Sequence, residues 1–160
     1  MRIEEKLAEM GLALPQEMQA PAGMRLPFAP VRVRGNRAFV SGTAPLAPDG
    51  SLAEPLGKVG AELTLEQGYA AARLTGLALL AALKRELGDL DRVTAWLRLF
   101  GMVNVAPGFV QTPSVINGCS DLILELWGRE RGTHARSAVG LAELPMRIPV
   151  EIEAEVEIDG

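Results

Sequence analysis

Val93-Thr-Ala-Trp-Leu-Arg-Leu-Phe-Gly-Met-Val103 is the stretch on which the fold turns. Side chains along a strand alternate between faces, so its period of two predicts a half-buried strand with Val93, Ala95, Leu97, Leu99 and Val103 on the core side. Trp96, Arg98, Phe100 and Met102 would point the other way. Three of those four are too apolar for an open sheet surface, which predicts that this second face meets other subunits.

Helices are expected on both sides of that strand in the chain. Thr64-Leu-Glu-Gln67 is a capping-box pattern, in which hydroxyl and amide satisfy the amide protons left free at a helix start. The helix it opens runs to Leu87 with an apolar stripe of Tyr69, Ala72, Leu77, Leu80, Leu83 and Leu87, and Gly88 is its expected stop. Gly68 and Gly76 each lower helix propensity by about 1 kcal/mol against alanine, which points to close packing of the helix on the sheet. A second helix is expected from Thr112, with Pro113 at its tolerated first position, through Val115, Ile116, Leu122, Leu126 and Trp127 to Gly128. Two strands, His134 to Ala142 and Val150 to Ile158, end the chain.

Further upstream, Val31-Arg-Val-Arg34 and Arg37-Ala-Phe-Val-Ser41 flank Gly35-Asn36, a tight hairpin turn. The order hairpin, helix, strand, helix, strand, strand predicts an α/β (α+β) fold: a mixed β-sheet with two helices packed on one face. Ile3, Leu7 and Met10 have helical spacing ahead of Gly11, giving a peripheral N-terminal helix. Prolines at 15, 21, 27 and 30 make the next segment an extended arm. The residues from 42 to 60 hold Pro45, Pro48, Asp49-Gly50 and Pro55, a loop long enough to be functional or interfacial.

The chain has 160 residues, 48% of them hydrophobic, and a net charge of −4; the pI is near 5.1. One compact domain suits that length, and the acidic balance argues against nucleic acid as a partner. No apolar run approaches the roughly 18 residues of a membrane span, and the first residues lack a signal-peptide core. One cysteine, Cys119, permits no internal disulfide and fits a reducing cytoplasm. It sits in an apolar helix and is expected to be buried. With one histidine and no HExxH or CxxC spacing, no metal is implied.

Chemistry concentrates in Thr133-His-Ala-Arg-Ser-Ala-Val-Gly-Leu-Ala142. Alternation puts His134, Arg136, Ala138, Gly140 and Ala142 on one face, so Arg136 stands among small side chains with room for a small anion. A guanidinium fork can hold a carboxylate through two parallel charge-assisted hydrogen bonds. Pattern alone favours a more ordinary role, an ion pair with Glu151 or Glu153. His134 shares the face and could be a general base, or simply a surface or interface histidine. The last strand carries glutamates at 151, 153, 155 and 157, which repel unless cations lie opposite; Arg32 and Arg34 are candidate partners.

These residues together resemble the Rid (reactive intermediate deaminase, or YjgF) family. Ala135-Arg136-Ser137, Leu144-Pro145 and Glu151-Ile152-Glu153-Ala154 match its arginine strand, turn and closing strand. Phe39-Val40-Ser41-Gly42 and Val115-Ile116-Asn117-Gly118 match its first long strand and its second helix. The resemblance runs from about Phe28 to Ile158, dividing the chain into an arm at 1–27 and a single domain at 28–160. It implies a chorismate-mutase-like homotrimer with clefts between subunits and a small carboxylate substrate. In deaminating members the arginine matching Arg136 binds the carboxylate of a 2-imino acid. The glutamate matching Glu151 activates a water that adds to the C=N carbon, and no cofactor is needed. Ser41, Asn117, Phe28 and Ala138 fall at further contact positions.

Phe28 replaces a tyrosine common in the family, and Ala138 replaces a cysteine. The N-terminal helix and the longer 42–60 loop place the chain with the longer subgroup. The functional expectation is therefore an enamine/imine deaminase, with a non-catalytic small-carboxylate binding module as the alternative. Endoribonuclease or translation-inhibitor activity, a label carried by some relatives, fits the acidic pI and the few aromatics poorly.

Overall fold

The computed structural model describes residues 2–20 and 22–160; Pro21, one of the four arm prolines, lies outside them. In chain order the elements are α1 (Arg2–Glu9), β1 (Val31–Arg34), β2 (Arg37–Thr43), α2 (Leu65–Leu87), β3 (Val93–Asn104), α3 (Thr112–Gly132), β4 (Ala135–Leu141) and β5 (Val150–Ile158). Short 3-10 turns at Leu90–Arg92 and Pro145–Arg147 precede β3 and β5.

One sheet in the order β1-β2-β5-β3-β4 holds all five strands. Its neighbours are antiparallel except β3 and β4, which are parallel. A parallel pair needs a crossover, and α3 supplies it. Helices α2 and α3 lie side by side on one face of the sheet, as the element order predicts.

Both ends of α2 and the start of α3 follow their sequence signals, and α3 continues past its expected stop at Gly128. Thr64 Oγ1 accepts from the Gln67 amide at 3.1 Å, and the Gln67 side chain accepts from the Thr64 amide at 2.9 Å, closing the capping box at the start of α2. Gly88 ends α2 in the left-handed conformation, φ +83°. In α3, Gly128 breaks the regular turn with φ +74°, and one further turn follows to Gly132.

The glycines of α2 serve a different contact from the one expected. A Cβ at Gly68 would press on Val115 of α3 and equally on Val59 of the loop before α2, and one at Gly76 would press on Leu122 and Cys119 of α3. None of these partners belongs to a strand of the sheet, so the glycines bring α2 to α3 and the loop rather than to the sheet. Gly118 on α3 answers them, since a Cβ there would overlap the Tyr69 carbonyl.

Strand β3 departs from strict alternation. Its pairing with β5 shifts register between Val93 and Ala95 and again between Trp96 and Arg98. Each irregularity resets which face a side chain takes. Val93, Trp96, Leu99, Gly101 and Val103 are consequently buried, whereas Ala95 and Leu97 are only half-buried. Trp96, expected on the outer face, is 2% exposed and meets Trp127 edge-on, with ring centres 5.2 Å apart and planes at 70°. Phe100 and Met102 do lie on the outer face, with Phe39 and Val139 partly exposed.

Helix α1 is less peripheral than its position suggests. Ile3 and Leu7 are 2% and 3% exposed and join the core shared by α2, α3 and the sheet. The Asp91 carboxylate accepts from the Arg2 and Ile3 amides at 2.6 and 3.1 Å, tying the helix start to the 3-10 turn before β3.

Candidate functional site

Two groups of side chains, on opposite faces of the sheet, carry the chemistry anticipated from sequence. Arg136 pairs across β3 with Leu99 and, beyond it, Ala154. Both partners are buried against the helices, so Arg136 projects to the helix side. Glu151 pairs with Met102 and, beyond it, Val139, and shares their outer face. Buried Val150 and Ile152 flank it and turn inward.

On the helix side, the guanidinium of Arg136 reaches α3. Nη1 donates to Asn117 Oδ1 at 2.7 Å and Ser120 Oγ at 3.2 Å, and Nη2 donates to the Pro113 carbonyl at 3.4 Å. Every acceptor is neutral. No ion pair to Arg136 exists among the described residues, so the structural partnership with Glu151 or Glu153 does not form. Ala138, two residues along the same strand face, packs on the core and leaves no thiol here. Its carbonyl accepts from Thr112 Oγ1 at 3.1 Å, fastening the start of α3 to β4.

Ser120 was missed by the sequence reading, although it lies three residues after Asn117, a spacing that shares a helix face. It also engages His134, whose Nε2 lies 2.9 Å from Ser120 Oγ. The other ring nitrogen, Nδ1, is 2.7 Å from the Gly132 carbonyl, an acceptor only. Nδ1 therefore carries the proton, and Nε2 accepts from the Ser120 hydroxyl. Burial holds the His134 pKa below its ordinary value and the Arg136 charge adds to the lowering, against the Gly132 hydrogen bond. The ring is a neutral prop for Ser120, and its only lone pair is engaged.

The outer group gathers around Gly42. A Cβ on Gly42 would overlap the Glu151 carboxylate, so glycine at this position leaves room for the carboxylate where it lies. Burial raises the Glu151 pKa above the ordinary carboxylate value, and the charge of Glu153 raises it further. Ser41 donates from Oγ to the Ala29 carbonyl at 2.7 Å, and its amide donates to Pro30 at 2.9 Å. Those bonds seat the arm beside β2 and set Phe28 on the wall of a concavity of about 150 Å³ that Ser41 and Gly42 also line.

Thus one chain gathers Arg136, Asn117 and Ala138 on the helix side and keeps Glu151 on the outer face, with Ser41 and Gly42 lying between Glu151 and a concavity that Phe28 lines beside α2; it does not bring Arg136 and Glu151 together. The remaining expectations sort themselves by topology. Strand β1 lies beyond β2, and the cation that meets the closing glutamates is Arg37, 3.0 Å from Glu155, rather than Arg32 or Arg34. Glu157 accepts from Thr94 Oγ1 at 2.7 Å. Cys119 is fully buried, and burial pushes its thiol up to about 12. Among the described residues no cluster of histidine, cysteine and carboxylate groups could hold a metal, and no helix is long and apolar enough to cross a membrane.

The chain is similar to known proteins over nearly its whole length. The protein TCP17 of Trypanosoma cruzi is 39% identical over 158 residues, covering 99% of this chain and 95% of that one. The crystal structure of Atu1372, a protein of unknown function from Agrobacterium tumefaciens, is 40% identical with a TM-score of 0.86, covering 99% and 94% of the two chains. A protein of Shewanella oneidensis described as a putative endoribonuclease is 33% identical with a TM-score of 0.88, covering 99% and 100%. The family model described as YjgF/chorismate mutase-like, putative endoribonuclease matches residues 4–149, and the chain belongs to that family.

Proposed function

We propose that the protein hydrolyses 2-imino acids to 2-keto acids and ammonia, in a cleft completed when Arg136 of one subunit faces Glu151 of a neighbour in a homotrimer. The observation that carries this reading is the state of Arg136. Its positive charge is oriented by Asn117, Ser120 and Pro113 but neutralised by none of them. A guanidinium held in place by neutral acceptors is organised for an external carboxylate, which it can grip through charge-assisted hydrogen bonds.

Glu151 supplies the proton handling. A carboxylate with a raised pKa is a better base than an ordinary one, because its affinity for a proton lies closer to neutral pH. As water oxygen bonds to the imine carbon, Glu151 takes one of the water's protons and passes it to the imine nitrogen, giving a carbinolamine. Glu151 then takes the hydroxyl proton and delivers it to the same nitrogen as the C–N bond breaks, so that the keto oxygen forms and ammonia leaves. The sum is imine plus water giving ketone plus ammonia. Imines are reactive enough that orientation and one positioned base can supply the acceleration.

Subunit association is required by this reading, because the sheet itself separates Arg136 from Glu151 within a chain. The partly exposed Phe39, Phe100, Met102 and Val139 on the outer face suit burial against another copy. The test is to generate imino acids in place with an amino-acid oxidase and follow their loss with and without the protein. No acceleration over buffer across several amino acids rejects the proposal.

Phe28 favours a second reading, a non-catalytic module for small carboxylates, since it provides an aromatic wall without a hydroxyl. Binding without turnover in the same assay selects it. Ribonuclease activity, which the family description mentions, draws less support. Arg32 and Arg98 on the outer face are interleaved with Glu153 and Glu155, a poor surface for a phosphate backbone.

A further inference from the structure

The 42–60 loop and the N-terminal arm are docked on each other. The Gln16 amide donates to the Pro48 carbonyl at 3.0 Å. Gly50, at φ +87°, lets the backbones meet, and a Cβ there would fall 2.6 Å from the Glu17 carbonyl oxygen and 2.9 Å from that of Gln16. Farther along the arm, the Glu17 carboxylate lies 3.6 Å from Arg85 Nε on α2. The arm is therefore strapped at two points, to the loop and to a helix, across the concavity beside Gly42.

That concavity is apolar over most of its wall. The arm contributes Met18, Leu26 and Phe28, the loop contributes Ala44 and Leu46, and α2 contributes the small residues Ala78 and Ala82. Met18, Leu26 and Phe28 are 44%, 45% and 57% exposed, and all three line this one hollow. At its lip stand Ser41 and Gly42, the latter in contact with Glu151. Its volume of about 150 Å³ is that of an apolar cavity able to hold a benzene-sized group.

We propose that this hollow is the side-chain subsite of the deaminase site, and that it selects substrates with an apolar side chain of isobutyl to benzyl size. The inference rests on the deaminase reading for its reaction and on the hollow's own walls for its selectivity. The imine carbon sits at the Glu151 lip, the carboxylate turns toward Arg136 of the partner subunit, and the side chain enters between arm and α2. A charged side chain would lose its water against Met18, Leu26 and Ala82. Among the described residues, the charged groups lining the hollow are Glu17 and Arg85, which already pair with each other.

The experiment compares imino acids generated from alanine, leucine, phenylalanine and glutamate on the full-length protein, reading kcat/KM. In parallel, calorimetry measures binding of pyruvate, 4-methyl-2-oxopentanoate, phenylpyruvate and 2-oxoglutarate. A missing methylene in an apolar pocket changes discrimination by about tenfold or more, so the leucine and phenylalanine imines should exceed those of alanine and glutamate by at least about tenfold. Ala82→Phe, which fills the hollow, should erase that ratio. Met18→Ala, at an exposed position that puts little folding energy at risk, should shrink the leucine-to-alanine ratio severalfold.

Equal rates for all four substrates, or ratios untouched by Met18→Ala, overturn the subsite while leaving the deaminase reading standing. Selective binding of the larger keto acids without any turnover does the reverse. Absence of both binding and turnover rejects the two together. A change of solution mass in Met18→Ala with no change in selectivity would reassign the hollow to subunit contact and also overturn the subsite.

Discussion

Arg136 and Glu151 leave the same sheet on opposite faces, Arg136 through the buried row of Leu99 and Ala154 and Glu151 through the outer row of Met102 and Val139. The two groups that would share a substrate are thus kept apart by a layer of backbone. Geometry of this kind makes an isolated subunit inactive under the proposed mechanism, and ties every functional prediction to the assembled protein.

Replacing Arg136 by lysine tests the carboxylate clamp. An ammonium carries the same charge but lacks the planar fork that meets Asn117, Ser120 and a substrate at once. Losing one hydrogen bond to a charged group costs about 1.5–3 kcal/mol, so kcat/KM for imine loss should fall roughly ten- to hundredfold. The melting temperature should move little, because the guanidinium's present acceptors are neutral and none is left as a bare charge. Equal kcat/KM in R136K would show that the arginine does not hold substrate.

Glu151→Gln should separate activity from stability. The glutamine keeps the shape beside Gly42 but cannot accept a proton, and turnover should fall by about a hundredfold or more. In the wild type, activity should decline as pH falls through the raised Glu151 pKa, because the base is then protonated. The stability effect has the opposite sense. A carboxylate whose folded pKa exceeds its unfolded one binds protons more tightly in the folded state, so its contribution is present at low pH and is lost as pH rises through the folded value. Above that value, E151Q should be at least as stable as the wild type in urea titrations, and a clear loss of stability would remove the case for a strained base.

Much of this architecture was open to reading because local chemistry and fold agree in it. The capping box at Thr64 and the turn at Gly35-Asn36 mark element ends through groups within four residues of each other. Trp96 was placed on the wrong face because two register irregularities in β3 are set by pairing with β5, some sixty residues away, and alternation counted along one strand is blind to them. The same limit hid Ser120, whose role depends on where α3 crosses over β4. Arg136 and Asn117 were both visible, but not the hydrogen bond that joins them. The arm and loop of the N-terminal half looked like two separate excursions, and only the Gln16 to Pro48 bond shows that they make one wall.

His134 should give acid sensitivity. Burial depresses its pKa, with the Arg136 charge adding to the effect, so the unfolded chain takes up a proton before the folded one does as pH falls. Its contribution to stability is therefore full above the ordinary histidine value near 6.5 and is lost as pH drops through the folded value. Glu151 works in the opposite direction over the acid range, so the measurement is cleanest in an E151Q background. There, His134→Gln should flatten the fall in unfolding free energy between about pH 7 and pH 5, and it should weaken binding of small keto acids by freeing Ser120 from its orientation. An unchanged slope would mean that the ring is solvated and does not brace Ser120.

Gly118→Ala should be the most damaging single methyl in the helical layer. The added carbon would overlap the Tyr69 carbonyl and come 3.1 Å from the Arg73 amide nitrogen, both backbone groups of α2 that no rotamer change can move aside. The helices must separate, and overpacking of that kind costs about 3 kcal/mol, or a fall in melting temperature on the order of 6–12 °C for a chain of this size. Gly88→Ala is the control: it meets nothing within 4 Å and suffers only its left-handed φ of +83°, a cost of about 1–2 kcal/mol. Because Asn117 and Ser120 flank Gly118, moving α3 also displaces the acceptors of Arg136. G118A should therefore lose keto-acid binding at temperatures where it is still folded, whereas G88A should retain it. If the two variants lost stability equally and neither lost binding, the close approach of α2 and α3 would not be what sets the arginine in place.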